Sequence, residues 1–155
     1  MLSSKRMQHV QIEVATRADL ADILSLIGQP DMSPDNNLSL AEAAALFERM
    51  QANPAQKLYV AKLGTVSIGA FSLLTVQHLS HNGGLSLIIE DVVVKTEQQG
   101  QGVGRQMVEF AIARARELGC YKLALSSNAK RTDAHTFYER LGFRKHGVTF
   151  YLSVA

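Results

Sequence analysis

Residues 88–118 read IIEDVVVKTEQQGQGVGRQMVEFAIARAREL, and this stretch decides the fold. An apolar run carries two adjacent carboxylates, Glu90 and Asp91, then continues as Val92, Val93 and Val94. A short polar link leads to three alternating glycines, Gly100, Gly102 and Gly104. After them Val103, Met107, Val108, Ala111, Ala115 and Leu118 recur at helical spacing and mark one apolar face. The order is therefore buried strand, glycine turn, helix start. The first turn of a helix has N–H groups without intrahelical partners and carries partial positive charge. Glycines let the chain bend back and let an anion come close. The combination is a ready anion site, most often for phosphate.

Spacing excludes two phosphate motifs. A P-loop requires Lys and then Ser or Thr after its last glycine, whereas Gly104 is followed by Arg105 and Gln106. A dinucleotide fingerprint requires a third glycine at the position held by Arg105, and an acidic end to the next strand. That strand ends here at Leu125 and Ser126. What remains is Gln99-Gly100-Gln101-Gly102-Val103-Gly104, which fits Q/R-x-x-G-x-G/A. Downstream come a short apolar strand, YKLALS over 121–126, then Asn128, and FYERLGF over 137–143. This set and its order resemble the GNAT superfamily of N-acetyltransferases, in outline over about residues 10–154 and specifically over 88–144. The resemblance implies an α/β (α+β) GNAT fold: a mixed central sheet of about six to seven strands with helices on both faces, in a single domain over 1–155.

Working outward, Val10–Ala15 alternates as a first strand. Thr16-x-x-Asp19 and Ser39-x-x-Glu42 are capping boxes ahead of two helices, and the loop between them carries Pro30 and Pro34. Strands are expected over 57–63, 66–79 and 85–94, with Asn82-Gly83-Gly84 as a hairpin turn. These are antiparallel, and the crossover helix 102–118 returns the next strand parallel to 85–94. Val148–Val154, VTFYLSV, reads as a last apolar strand near a sheet edge.

Composition narrows the class. At 155 residues the chain suits one core, and 46% hydrophobic content argues against disorder. A net charge of +2 with scattered basic residues gives no nucleic-acid footprint. No apolar run is long enough to span a membrane, and the first residues lack a signal core. The single cysteine, Cys120, cannot form an internal disulfide, which points to a cytoplasmic home. It reads as a small apolar residue rather than a nucleophile. No zinc-ligand spacing occurs, so no metal is expected. His78 and His81 flank the hairpin turn near the expected cleft, where side chains that simply meet solvent are the simpler reading, and His135 precedes Tyr138 by one turn.

Thioester aminolysis needs a base for the amine, donors for the oxyanion, an acid for the thiolate, and both substrates held together. Carboxylates in an apolar run are costly to bury unless they work, so Glu90 and Asp91 are candidate bases. The resemblance favours Glu90, with Asp91 as the alternative, and makes Tyr138 the acid on the coenzyme A sulfur. It implies acetyl-CoA as cosubstrate, held by the main chain of Val92, Val93 and Val94, by Gln99, Gly100, Gln101, Gly102, Val103, Gly104 and Arg105, and by Asn128 and Tyr138. The loop 31–40 would touch the acceptor. Residues 89–104 and 119–122 are similar to glucosamine-6-phosphate N-acetyltransferases, and 125–135 to aminoalkylphosphonate N-acetyltransferases. Both imply a small-molecule amine, with phosphorylated and phosphonate amines among the acceptors left open, and Lys130 and Arg131 read either as contacts for such an anion or as two solvated cations near a turn. A protein or peptide acceptor, and a coenzyme A-binding domain without catalysis, remain as alternatives. The family also implies a homodimer through its C-terminal strands.

Overall fold

Alternating or continuous apolar runs become strands, and capping residues ahead of apolar periodicity become helices. The computed structural model describes residues 7–155. The chain divides into two compact units, with the boundary between Ala124 and Leu125. Five strands, β1 (Gln11–Val14), β2 (Gln56–Leu63), β3 (Val66–Gln77), β4 (Leu85–Val94) and β5 (Lys122–Leu125), lie in one sheet in chain order. The first three pairings are antiparallel. Tyr121 N–H donates to Leu85 O at 2.9 Å, so β5 starts beside the start of β4 and runs parallel to it.

Both capping boxes form. Asp19 Oδ2 accepts from Thr16 N–H (2.8 Å) and Thr16 Oγ1 (3.2 Å) across a 3-10 turn that feeds α1 (Leu20–Ile27). Ser39 and Glu42 bond reciprocally at 2.8 and 3.1 Å ahead of α2 (Leu40–Gln51). The β3–β4 reversal contains a single turn, α3 (Ser80–Gly83), with His81 and Asn82 both left-handed.

The helices cover opposite faces. Leu20, Ile23, Leu26, Ala44 and Phe47 from α1 and α2 pack on Val60, Ala70 and Val93. On the other face α4 (Val103–Glu117) places Phe110 against Tyr59 and Phe71, with ring centroids 5.0 and 6.1 Å away. Gly69 on β3 lets α4 come close: a methyl there would stand 2.9 Å from Met107 Sδ and 3.3 Å from Val93 O. Each large side chain buried this way contributes about 1.5–3 kcal/mol.

A buried charge joins the first elements. Asp19, only 4% exposed, accepts from Lys62 Nζ at 3.0 Å, and Lys62 also reaches Glu13 at 2.8 Å. Burial alone would push the Asp19 carboxyl up. The Thr16 N–H and the Lys62 ammonium outweigh burial and hold it below the usual range.

The second unit contains α5 (Thr132–Arg140). The expected strand at Val148–Val154 does not form; residues 144–155 have no regular secondary structure. The segment has strand-like alternation, but a strand exists only through its ladder, and here no ladder holds it. Val148, Phe150, Tyr151, Leu152 and Val154 are 79–93% exposed. Among the described residues the sheet therefore has five strands, not six to seven. Among the described residues no helix is long and apolar enough to cross a membrane.

Candidate active site

The β3–β4 ladder breaks at the two carboxylates. Ser72 pairs with Glu90 and Ala70 with Val93, so Asp91 and Val92 together stand opposite Phe71. This is a β-bulge, and Asp91 takes its left-handed conformation at φ 53°. Cross-strand partners share a face. Ala70 and Val93 face α1 and α2, so Ser72 and Glu90 do as well. Glu90 thus leaves the sheet on the side of the α1–α2 loop. Both Glu90 and Asp91 are exposed, which corrects the expectation that the apolar run buries them. Glu90 keeps its regular register opposite Ser72, and only Asp91 is turned out of the alternation by the bulge.

β5 has four residues against ten in β4, and it ends before the bulge. Lys95 N–H donates to Ile68 O at 2.8 Å, on the β3 side. Alternation therefore turns the N–H and C=O of Val94 away from β3, past the end of β5. Val93 is buried core, while Val92 and Val94 are half-buried.

The link to α4 starts with a 3-10 turn at Thr96–Gln98 and then bends at Gly100 (φ 75°) and Gly102 (φ 85°). Gly102 is the N-cap of α4 and no side chain caps it. The N–H groups of Val103, Gly104 and Arg105 thus lack both an intrahelical acceptor and a capping one. Charge and hydrogen-bonding capacity at that turn suit an anion. Arg105 pairs with Glu109 at 2.8 Å on the exposed face of α4, and Gln101 Nε2 donates to Glu97 O at 3.2 Å.

Side-chain amides brace this loop from two sides. Gln99 Nε2 donates to Asp31 Oδ2 (3.0 Å) and to Val94 O (3.1 Å). Gln29 Nε2 donates to the same Val94 O at 3.1 Å, while Gln29 Oε1 accepts from Thr96 N–H at 2.9 Å and from Thr96 Oγ1 at 3.2 Å. On the other side Gln106 Oε1 accepts from Val10 N–H at 3.2 Å, and its Nε2 donates to Gln8 O and Gly102 O. Gln29, Asp31 as a loop brace, and Gln106 were invisible to motif reading because each contact spans 65 residues or more.

In the second unit Tyr138 packs edge-on against Phe137 and Phe143, with centroids 5.2 and 5.8 Å away. Burial pushes its hydroxyl pKa up, partly opposed by the charge of Arg131. Its carbonyl accepts from Leu141 and Phe143 N–H, closing the turn of the FYERLGF motif. Asn128 forms a turn: its Oδ1 accepts from Lys130 N–H (2.9 Å), and its O meets Arg131 N–H (3.0 Å) and His135 Nε2 (2.9 Å).

Burial pushes the Cys120 thiol up, against a nucleophilic role. His78 bonds Ser86 Oγ at 2.8 Å, and His81 stacks on Tyr121 at 4.2 Å. Both lie at the start of β4, the opposite end from the bulge, so the expectation that they neighbour the cleft is not met. Among the described residues no group of three His, Cys, Asp or Glu could hold a metal.

A helix start with uncapped N–H groups is fed by a bulged strand, and residues 21–143 match the Acetyltransferase (GNAT) family. The chain belongs to the GNAT family. It is an acyltransferase with acetyl-CoA as cosubstrate. It is 30% identical over 138 residues to a glucosamine 6-phosphate N-acetyltransferase of Trypanosoma brucei brucei, covering 88% of this chain and 90% of that protein. It is 36% identical over 83 residues to the aminoalkylphosphonate N-acetyltransferase of Salmonella typhimurium, covering 54% and 53%. A Trypanosoma brucei acetyltransferase of known structure superimposes with a TM-score of 0.82 at 27% identity, covering 94% of this chain and all of that one. This GNAT chain thus keeps the glycine loop that its sequence announced, and it adds a bulged strand.

Proposed function

We propose that residues 1–155 act as one N-acetyltransferase domain that moves the acetyl group of acetyl-CoA directly to the primary amine of a small molecule in a ternary complex. The observation that carries this is the uncapped start of α4 behind left-handed Gly102, continuous with the bulged end of β4. The N–H groups from Gly100 to Arg105 take the diphosphate, with Gln99 and Gln101 holding the turn in shape. The main chain of Val92–Val94 takes the pantetheine arm through the groups that Gln29, Gln99 and β3 leave unbonded, and Asn128 adds a polar contact to it.

In the reaction the amine gives up a proton to Glu90, directly or through water, and its lone pair attacks the thioester carbonyl. The C–S bond then breaks and the thiolate takes a proton from Tyr138. Glu90 is favoured over Asp91 because it leaves the sheet on the side of the α1–α2 loop, and Asp91 occupies the strained bulge position. The raised pKa of Tyr138 supports a group that keeps its proton at neutral pH.

The acceptor is a phosphorylated or phosphonate amine, supported by what the relatives' names say they acetylate. Exposed Lys130 and Arg131 supply charge for that group. The exposed apolar strip 148–154 supports a homodimer built through that segment. The cytoplasm is the proposed compartment, from the lone, unpaired Cys120. Thiol release from acetyl-CoA, followed with glucosamine 6-phosphate, aminoalkylphosphonates, plain amines and peptides, tests the reading. Turnover with phosphorylated or phosphonate amines is expected. Turnover with peptides alone would move the acceptor class, and none with any acceptor would leave a binding domain.

A further inference from the structure

We propose that Gln29 is a positioning residue for acyl transfer, standing in for a missing strand at the end of β4. It rests on the reading that the 99–105 loop holds the cosubstrate diphosphate. Among the described residues, the far edge of β4 has no strand neighbour to bond beyond the end of β5. Its two outward groups flanking Lys95 are Val94 O and Thr96 N–H, the pair that one residue of a parallel neighbour would bond. The Gln29 side-chain amide takes both, at 3.1 and 2.9 Å. One planar amide therefore closes a single parallel bridge and fixes the peptides on either side of Lys95. Between the end of β5 and this bridge lies the open edge that includes the Val94 N–H.

Gln29 is itself held. It follows the Gly28 C-cap of α1, its N–H donates to Leu26 O at 3.2 Å and its O accepts from Met32 N–H at 3.0 Å. Met32 packs on the core shared by α1, α2 and the sheet. Two residues on, Asp31 receives Gln99, the first residue of the glycine motif. The acceptor-side loop and the cosubstrate loop thus share two links that act as one brace. Coupling of this kind is reciprocal: whatever one site gains from order in the other, the other gains as well.

The test uses the full chain with coenzyme A itself as the probe. Gln29→Met keeps length but removes every polar contact, and Gln29→Glu keeps the acceptor for Thr96 while losing the donor to Val94. Calorimetry gives the Kd, thermal melting reports the fold, and amide hydrogen exchange over residues 29–38 reads the brace with and without coenzyme A. Expected are a Kd about tenfold weaker for Gln29→Met, an intermediate loss for Gln29→Glu, and coenzyme A slowing exchange over 29–38 in the wild type but not in Gln29→Met. Equal Kd and equal protection in wild type and variants, even with a lower melting temperature, would reduce Gln29 to a structural contact and overturn the proposal while leaving the loop reading intact. A wild type that does not bind coenzyme A would overturn the loop reading and this proposal with it. Should Gln29→Met fail to fold, the same readouts on Gln29→Glu decide.

Discussion

Replacing Gly102 by alanine tests the anion site with the least change in mass. Gly102 sits at φ 85°, where an L side chain is strained by about 1–2 kcal/mol. The new methyl would also lie 2.8 Å from Met7 Cγ and 3.1 Å from Met7 Sδ. Met7 is 57% exposed and flexible, so it swings aside at little further cost. For a domain of this size the strain alone lowers the melting temperature by roughly 2–8 °C. Relief of that strain would tilt the first turn of α4 and misdirect the amides of Val103–Arg105. Each hydrogen bond to a charged group is worth about 1.5–3 kcal/mol, so losing one weakens coenzyme A about tenfold or more. Calorimetry on Gly102→Ala, with Met7→Ala added as a second change, separates the causes. Removing the Met7 side chain gives room but does not restore a left-handed alanine, so affinity should stay low in the double variant. Wild-type affinity for coenzyme A in Gly102→Ala, alongside the expected melting loss, would mean that these amides do not hold the diphosphate.

Other outcomes follow from the same geometry. Glu90→Gln should lower kcat/KM at neutral pH by about a hundredfold, while Asp91→Gly should raise stability by about 1 kcal/mol by relieving the left-handed φ and keep most of the turnover; steady-state kinetics with melting checks both. Tyr138→Phe should lower kcat at saturating acetyl-CoA, and because burial raises the hydroxyl pKa above its ordinary value near 10, the wild type should show no loss of this proton in a pH–rate profile up to pH 9. Asp19 has a folded pKa below its unfolded value, so its stabilisation is present above the unfolded pKa and is lost as pH falls through the folded one. Asp19→Asn should therefore cost about 2–3 kcal/mol at neutral pH, less than a fully orphaned pair because Glu13 still holds Lys62, and should flatten the melting profile below about pH 4. Phe150→Glu should shift sedimentation from dimer to monomer without unfolding the chain.

Local chemistry was readable and distant chemistry was not. The two capping boxes, the strand at 85–94 and the glycine loop are set by neighbours within a few positions, and the structure has them where the residue pattern puts them. The Asp19–Lys62–Glu13 cluster and the amides of Gln29 and Gln106 join positions far apart in the chain, and no spacing rule encodes them. The place of the bulge and its effect on the Asp91 backbone were hidden. In IIEDVVV apolar residues occupy both faces, so the alternation that would betray an extra residue is absent. The last apolar segment carried a strand pattern without a partner, and pattern alone does not make a ladder.

The bulge has an implication for how this strand has been kept. Delete Asp91, and Ser72 would still meet Glu90, Ala70 would still meet Val93, and Val92 would fall in opposite Phe71. Every interior contact would survive and the awkward backbone angle would vanish. The chain therefore carries one residue more than its sheet has any use for. A shortened variant should melt higher and acetylate poorly, and that trade would mark the surplus residue as retained for catalysis rather than for folding.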